Sequence, residues 1–135
     1  MTHTKESVVT KRYQNTAQFI EQEAPLESFY CLSKGALAKQ VQRFMTGFPG
    51  VVAYAVKANP APELVNALAA CGIRAYDVAS IAEVALVRGI MPNAYVMYDN
   101  PVKSRDEITQ AYHDYGVKSY ALDDVREFEK IQSII

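Results

Sequence analysis

Histidine, cysteine, long apolar runs and excess charge are all scarce in this chain of 135 residues, and each scarcity removes a class of function. The only histidines are His3 and His113, which leaves almost nothing from which to build a zinc site, so no metal is expected. The two cysteines, Cys31 and Cys71, sit far apart in apolar surroundings and read as buried thiols in a reducing compartment. No apolar stretch approaches the roughly 20 residues of a membrane span. Residues 1–12 lack the apolar centre of a secretory signal. Fourteen basic and fifteen acidic residues leave a net charge of −1, which makes no electrostatic case for nucleic acid or an anionic membrane. A cytoplasmic protein acting on a small molecule is the default expectation.

What remains is ordinary globular material: 50% of residues are hydrophobic and 21% charged, enough to bury a core at the length of one domain. Residues 13–23 form a short helix pattern with Phe19 and Ile20 inward, and residues 29–32 a short strand pattern. Ser33 then reads as an N-cap for a helix whose Leu37, Val41 and Phe44 share one face. From residue 51 a unit repeats. Strands are expected at 51–56, 74–78, 94–98 and 119–122, each followed by a helix. Capping signals open three of these helices: Ser80 with Glu83, Ser104 with Glu107, and Asp124 with Glu127. The last helix is expected to turn Val125, Phe128 and Ile131 inward.

Four strands alternating with four helices at about 22 residues demand parallel strands and right-handed crossovers. An open doubly wound sheet fits this pattern at this length. The first half of a (β/α)8 barrel, which usually needs about 250 residues, fits it equally. In both, ligands bind at the carboxyl edge of the sheet, where Lys57, Asp77, Asn100 and Asp123 all fall.

The run Tyr54-Ala55-Val56-Lys57-Ala58-Asn59-Pro60 places a lysine at the end of a buried strand. Such an amine, desolvated, loses its proton near neutral pH and attacks carbonyls to give an imine. A lysine that merely snorkels to the surface from a strand end has the same spacing. Asp77, between Tyr76 and Val78, is a carboxylate in an apolar strand and is costly there without a donor or cation. Glu83 at the third position of its helix is explained as a cap, and Asn100 as a loop-former.

The lysine segment resembles the cofactor-lysine segment of the ornithine/diaminopimelate/arginine decarboxylases, barrel enzymes that use pyridoxal phosphate (PLP). Arg74-Ala75-Tyr76-Asp77-Val78-Ala79-Ser80 with Glu83 is similar to the family's second motif. Tyr98-Asp99-Asn100-Pro101-Val102-Lys103 is similar to the Asn-Pro-x-Lys segment of ornithine decarboxylases, and Ser119 to Asp124 to the strand that follows. Four segments in family order favour the barrel: an α/β fold with about four βα units of a partial (β/α)8 TIM barrel, over residues 29–135, after an amino-terminal extension of residues 1–28.

The resemblance implies Lys57, Asp77 and Glu83 as catalytic residues, with Lys57 and Asp77 binding PLP. It implies decarboxylation of a basic amino acid, ornithine being favoured, by a homodimer. The later strand ends and the carboxyl-terminal β-domain of that family have no counterpart here, so the chain reads as an amino-terminal fragment, inactive alone. The alternative is a small non-catalytic α/β binding or regulatory module with a decarboxylase-like sequence.

Overall fold

The computed structural model describes residues 11–135, which divide into two units, residues 11–32 and Ser33–Ile135. In the first, helix α1 (Thr16–Glu23) is capped by Asn15, whose side chain accepts from the Gln18 amide at 2.9 Å. Phe19 packs edge-on between Tyr13 and Phe29, while Ile20, expected inward, is exposed. Residues 29–32 pair with no strand, contrary to expectation: Phe29 packs through its ring, and Cys31, expected buried, is exposed. Cys71, in the second unit, is half-buried.

The second unit begins with α2 (Lys34–Gly47), capped by Ser33 as its sequence predicts. Val41 is its one buried residue, Leu37 packs beside it against the core, and Phe44 lies largely exposed. Four βα units follow: β1 (Ala53–Ala55) and α3 (Pro62–Ala70), β2 (Ala75–Val78) and α4 (Ile81–Ile90), β3 (Tyr95–Tyr98) and α5 (Arg105–His113), β4 (Ser119–Tyr120) and α6 (Val125–Gln132). All strand pairs are parallel, and the sheet order is β1-β2-β3-β4. Each helix packs on the next in sequence, from α2 to α6. A doubly wound sheet reverses its strand order at a switch point, and this one does not. The architecture is that of a partial (β/α)8 barrel.

Alternation along the strands separates two faces. Tyr76, Val78, Val96 and Tyr98 are fully or nearly fully buried on the face the helices cover. Ala55, Asp77 and Met97, which stand in register on adjacent strands, belong to the other face and are only half-buried. Two glycines return helices to strands. After α3, Gly72 at φ 104° lets its own amide reach Ala69 and the Ile73 amide reach Leu68, the paired bonds of a Schellman turn. Gly116 at φ 63° does the same service after α5, where the Val117 amide donates to Ala111. Ile73 and Val117 are thereby delivered into the core just ahead of β2 and β4.

The strands are shorter than their apolar runs. Residues 51–56 contribute only Ala53–Ala55 to the ladder, and residues 119–122 only Ser119–Tyr120. These are the two edge strands, each with one neighbour. An apolar run records where a strand is wanted, but a ladder lasts only while a partner's backbone runs beside it.

Candidate functional site at the carboxyl edge

Parallel pairing brings the carboxyl ends of all four strands to one edge of the sheet, and with them Lys57, Asp77, Asn100 and Asp123. Lys57 lies not on β1 but on the single 3-10 turn Val56–Ala58 that follows it. Val56 anchors that turn in the core, fully buried. The Asn59 amide closes it on the Val56 carbonyl at 3.1 Å, and the Tyr54 hydroxyl donates to the Asn59 carbonyl at 3.1 Å. The Asn59 side chain then accepts from the Ala61 amide at 3.0 Å and leads the chain into α3. Lys57 itself is exposed, so the desolvation expected of a buried strand end is not met within these residues. Its backbone is held while its amine is free to meet a ligand.

Asp77 stands on β2 opposite Ala55, two residues before Lys57. Its Oδ1 is buried and has no hydrogen-bond partner among the described residues, an expensive arrangement for a carboxylate oxygen. Asp99, just past β3, belongs to the same group, although its sequence marked it only as part of a motif. Burial, then the charge of Asp77, raises the Asp99 carboxyl above the ordinary aspartate value against the pull of Lys57 and Lys103. Asp77, Lys57 and Lys103 are therefore each in electrostatic reach of Asp99.

Glu83 is placed differently. Its Oε2 accepts from the Ala79 amide at 2.8 Å, while Ser80 Oγ accepts from the Glu83 amide at 3.3 Å. The carboxylate reaches one residue beyond the N-cap, a variant of the capping box its sequence predicts. Asn100 bridges strands: its Nδ2 donates to the Ala79 carbonyl at 3.3 Å, and its Oδ1 accepts from the Val102 amide at 3.2 Å. Asp123 is exposed, three residues past β4.

Sequence reasoning missed a buried ion pair below the edge. Lys103, 1% exposed, donates to the carbonyls of Asn100 and Ala121, both at 2.7 Å, and meets Glu127 Oε1 at 3.2 Å. Glu127 is 6% exposed and also pairs with Lys130. The last helix is thus rotated from expectation: α6 turns Glu127 and Ile131 inward and leaves Val125 and Phe128 66% and 48% exposed. The signal was present in the Asn-Pro-x-Lys segment and in the i, i+4 spacing of Glu127 and Ile131, which puts both on one face. Tyr98, fully buried beside this pair, is pushed up to about 12 by its burial and then by the charge of Glu107, so it stays protonated and serves packing. A cavity of about 190 Å³ beside Met45, Val52 and Ala75 lies at the opposite, amino edge and contains none of these residues.

Residues 34–135 match the family model of the pyridoxal-dependent decarboxylases, pyridoxal binding domain. The lysine/ornithine decarboxylase of Selenomonas ruminantium is 35% identical over 85 residues, covering 62% of this chain and 21% of the relative. The ornithine decarboxylase of Cricetulus griseus is 35% identical over 106 residues, covering 78% of this chain and 22% of the relative. The crystal structure of ornithine decarboxylase from Entamoeba histolytica superposes with a TM-score of 0.68 at 29% identity, over 75% of this chain and 30% of that one. The chain spans about a fifth of the length of the curated relatives it matches.

The cofactor of this domain is pyridoxal 5'-phosphate. The residues present fit such a group: a primary amine on a fixed turn suits an aldehyde, and on the same edge Asp77 Oδ1 is buried with no donor among the described residues. The chain belongs to the pyridoxal-dependent decarboxylase family as a pyridoxal-binding domain.

Proposed function

From that membership, we propose that this chain is the amino-terminal barrel half of a carbon–carbon lyase that decarboxylates a basic amino acid. Ornithine is the favoured substrate, giving putrescine for polyamine synthesis. On this reading residues 29–135 are part of the cofactor-binding barrel, residues 1–28 an extension, and the complete enzyme a cytoplasmic homodimer. The observation that supports it is the shared carboxyl edge, which carries an exposed lysine on its turn and a buried aspartate oxygen one strand over, in the order of the family's motifs. The names of the relatives, ornithine and lysine/ornithine decarboxylases, support the substrate class.

Lys57 would hold the cofactor through its amine, and Asp77 would orient that amine and share its proton. Bound there, pyridoxal phosphate supplies the electron sink that lets the α-carboxylate depart as carbon dioxide. The 3-10 turn would keep the Lys57 backbone fixed while its exposed side chain reached the cofactor. Glu83, tied to the Ala79 amide, acts on this site by fixing the turn after β2, directly behind Asp77.

Asp77→Ala in the complete enzyme is expected to reduce turnover by about 10²-fold or more, the scale of a lost proton-handling group. Stability should change little or rise, because an unsatisfied buried oxygen is removed. Turnover and urea melts on the same preparation distinguish this from a structural carboxylate, for which both would fall together.

The chain by itself lacks activity on this reading. Strands β1 and β4 each have an open side, and Val51, Leu122, Val125 and Phe128 are exposed close to them. Open edges beside apolar surface promote association. Purified alone, the 135-residue chain should elute as mixed oligomers and release no carbon dioxide from ornithine, lysine or arginine. A monodisperse, cooperatively melting monomer would instead favour a self-contained module, and measurable carbon dioxide would overturn the half-barrel reading.

A further inference from the structure

One connected set of hydrogen bonds runs along the carboxyl edge, from β2 to α6. Glu83 accepts from the Ala79 amide, Asn100 donates to the Ala79 carbonyl, and Lys103 donates to the Asn100 carbonyl. Lys103 also donates to the Ala121 carbonyl just past β4 and meets Glu127 at the start of α6. The amide of Lys103 donates to the same Glu127 oxygen at 3.2 Å, and Lys130 donates to the Lys103 carbonyl. A lysine in contact with three separate segments, with almost no exposed surface, is an unusual choice where apolar residues would pack as well. Its location explains it. Apolar packing cannot specify the positions of two loop carbonyls, whereas an ammonium donating to both can.

We infer that Lys103, held by Glu127, is a positioning residue of the cofactor edge. It sets the loops after β3 and β4 against the end of β2, and so fixes Asp77 and Asp99 relative to Lys57. The inference rests on the pyridoxal-binding reading. It adds to that reading a clamp on strands other than the one that bears the cofactor lysine. Asp99 reports the connection, since its carboxyl feels Lys103 as well as Lys57 and Asp77.

Two variants separate positioning from stability. Lys103→Met leaves Glu127 buried with a partner missing, and should melt well below wild type. Lys103→Met/Glu127→Met removes both charges, and should recover most of that loss, because apolar pairs replace buried ion pairs at little cost. Each protein, as the full 135-residue chain, is incubated with pyridoxal phosphate and reduced with borohydride. Labelling at Lys57 is scored against labelling at exposed Lys118.

In the double variant the Lys57 to Lys118 ratio should remain about tenfold below wild type, the scale of a small misplacement of reacting groups. Amide exchange at residues 102–104 and 121–123 should be about tenfold faster, reporting the freed loops without any cofactor. A double variant that labels Lys57 as wild type does, or whose loops exchange at the wild-type rate, overturns the clamp. Wild type that labels Lys57 no more than Lys118 overturns the pyridoxal reading instead, and loop exchange then decides the clamp alone.

Discussion

Lys57→Arg in the complete enzyme is expected to show no measurable carbon dioxide release while melting at the wild-type temperature. The two halves of that result have different causes. Arginine stays protonated, so it offers no free electron pair for a covalent link to the cofactor aldehyde. Stability is spared because the Lys57 side chain is exposed, and the turn beneath it is held by Val56, Tyr54 and Asn59. Borohydride reduction of the wild-type enzyme should place the cofactor on Lys57 and on no other lysine. Label on a different lysine, with Lys57 clean, would remove it from the site.

Glu127→Ala is expected to be the most destabilising single change in the Ser33–Ile135 unit. It strands the Lys103 ammonium in the interior, and breaking one side of a buried pair costs about 3–5 kcal/mol. Against the roughly 5–15 kcal/mol that holds a domain of this size, such a loss removes a large share of the total stability. Urea unfolding measures it, and a cost under about 1 kcal/mol would mean that water reaches the pair.

A pH dependence follows from the same residue. Burial raises the Glu127 carboxyl, but hydrogen bonds from Lys130 and Lys103 outweigh burial and leave it below the ordinary glutamate value. A carboxyl lowered on folding contributes stability that is complete above the unfolded value, about 4.3, and lost as pH falls through the folded one. Melting temperature should therefore be level down to about pH 5 and fall below it. In the Glu127→Gln variant that acid-side fall should be shallower.

The four βα units were legible because each is written locally. Apolar runs mark the strands, Ser33, Ser80, Ser104 and Asp124 each accept from a helix amide as caps do, and glycines stop α3 and α5. Lys57, Asp77 and Asn100 were placed on one edge by parallel pairing alone. The rotation of α6 was not legible. Val125, Phe128 and Ile131 make the better apolar stripe, and Glu127 turns inward only because Lys103, 24 residues earlier, is already buried there. The exposure of Lys57 was hidden for a related reason: an apolar run does not say where its ladder ends, and β1 stops two residues short of it. Asp99 escaped because its significance is a charge relation across strands, with Asp77, Lys57 and Lys103, which no spacing within one segment records.

The order β1-β2-β3-β4 also bears on how the chain reaches this state. Every strand pairs only with the strand before or after it, and paired residues are 20 to 22 positions apart. None of these three pairings waits for a distant partner, so the entropy of closing each loop is small and similar from one unit to the next. Contacts this local favour fast folding, and they suit a chain that emerges from the ribosome one end first. Each βα unit can dock on its predecessor as it is synthesised, because the strand just completed, β1, β2 or β3 in turn, presents the open edge on which the next one pairs.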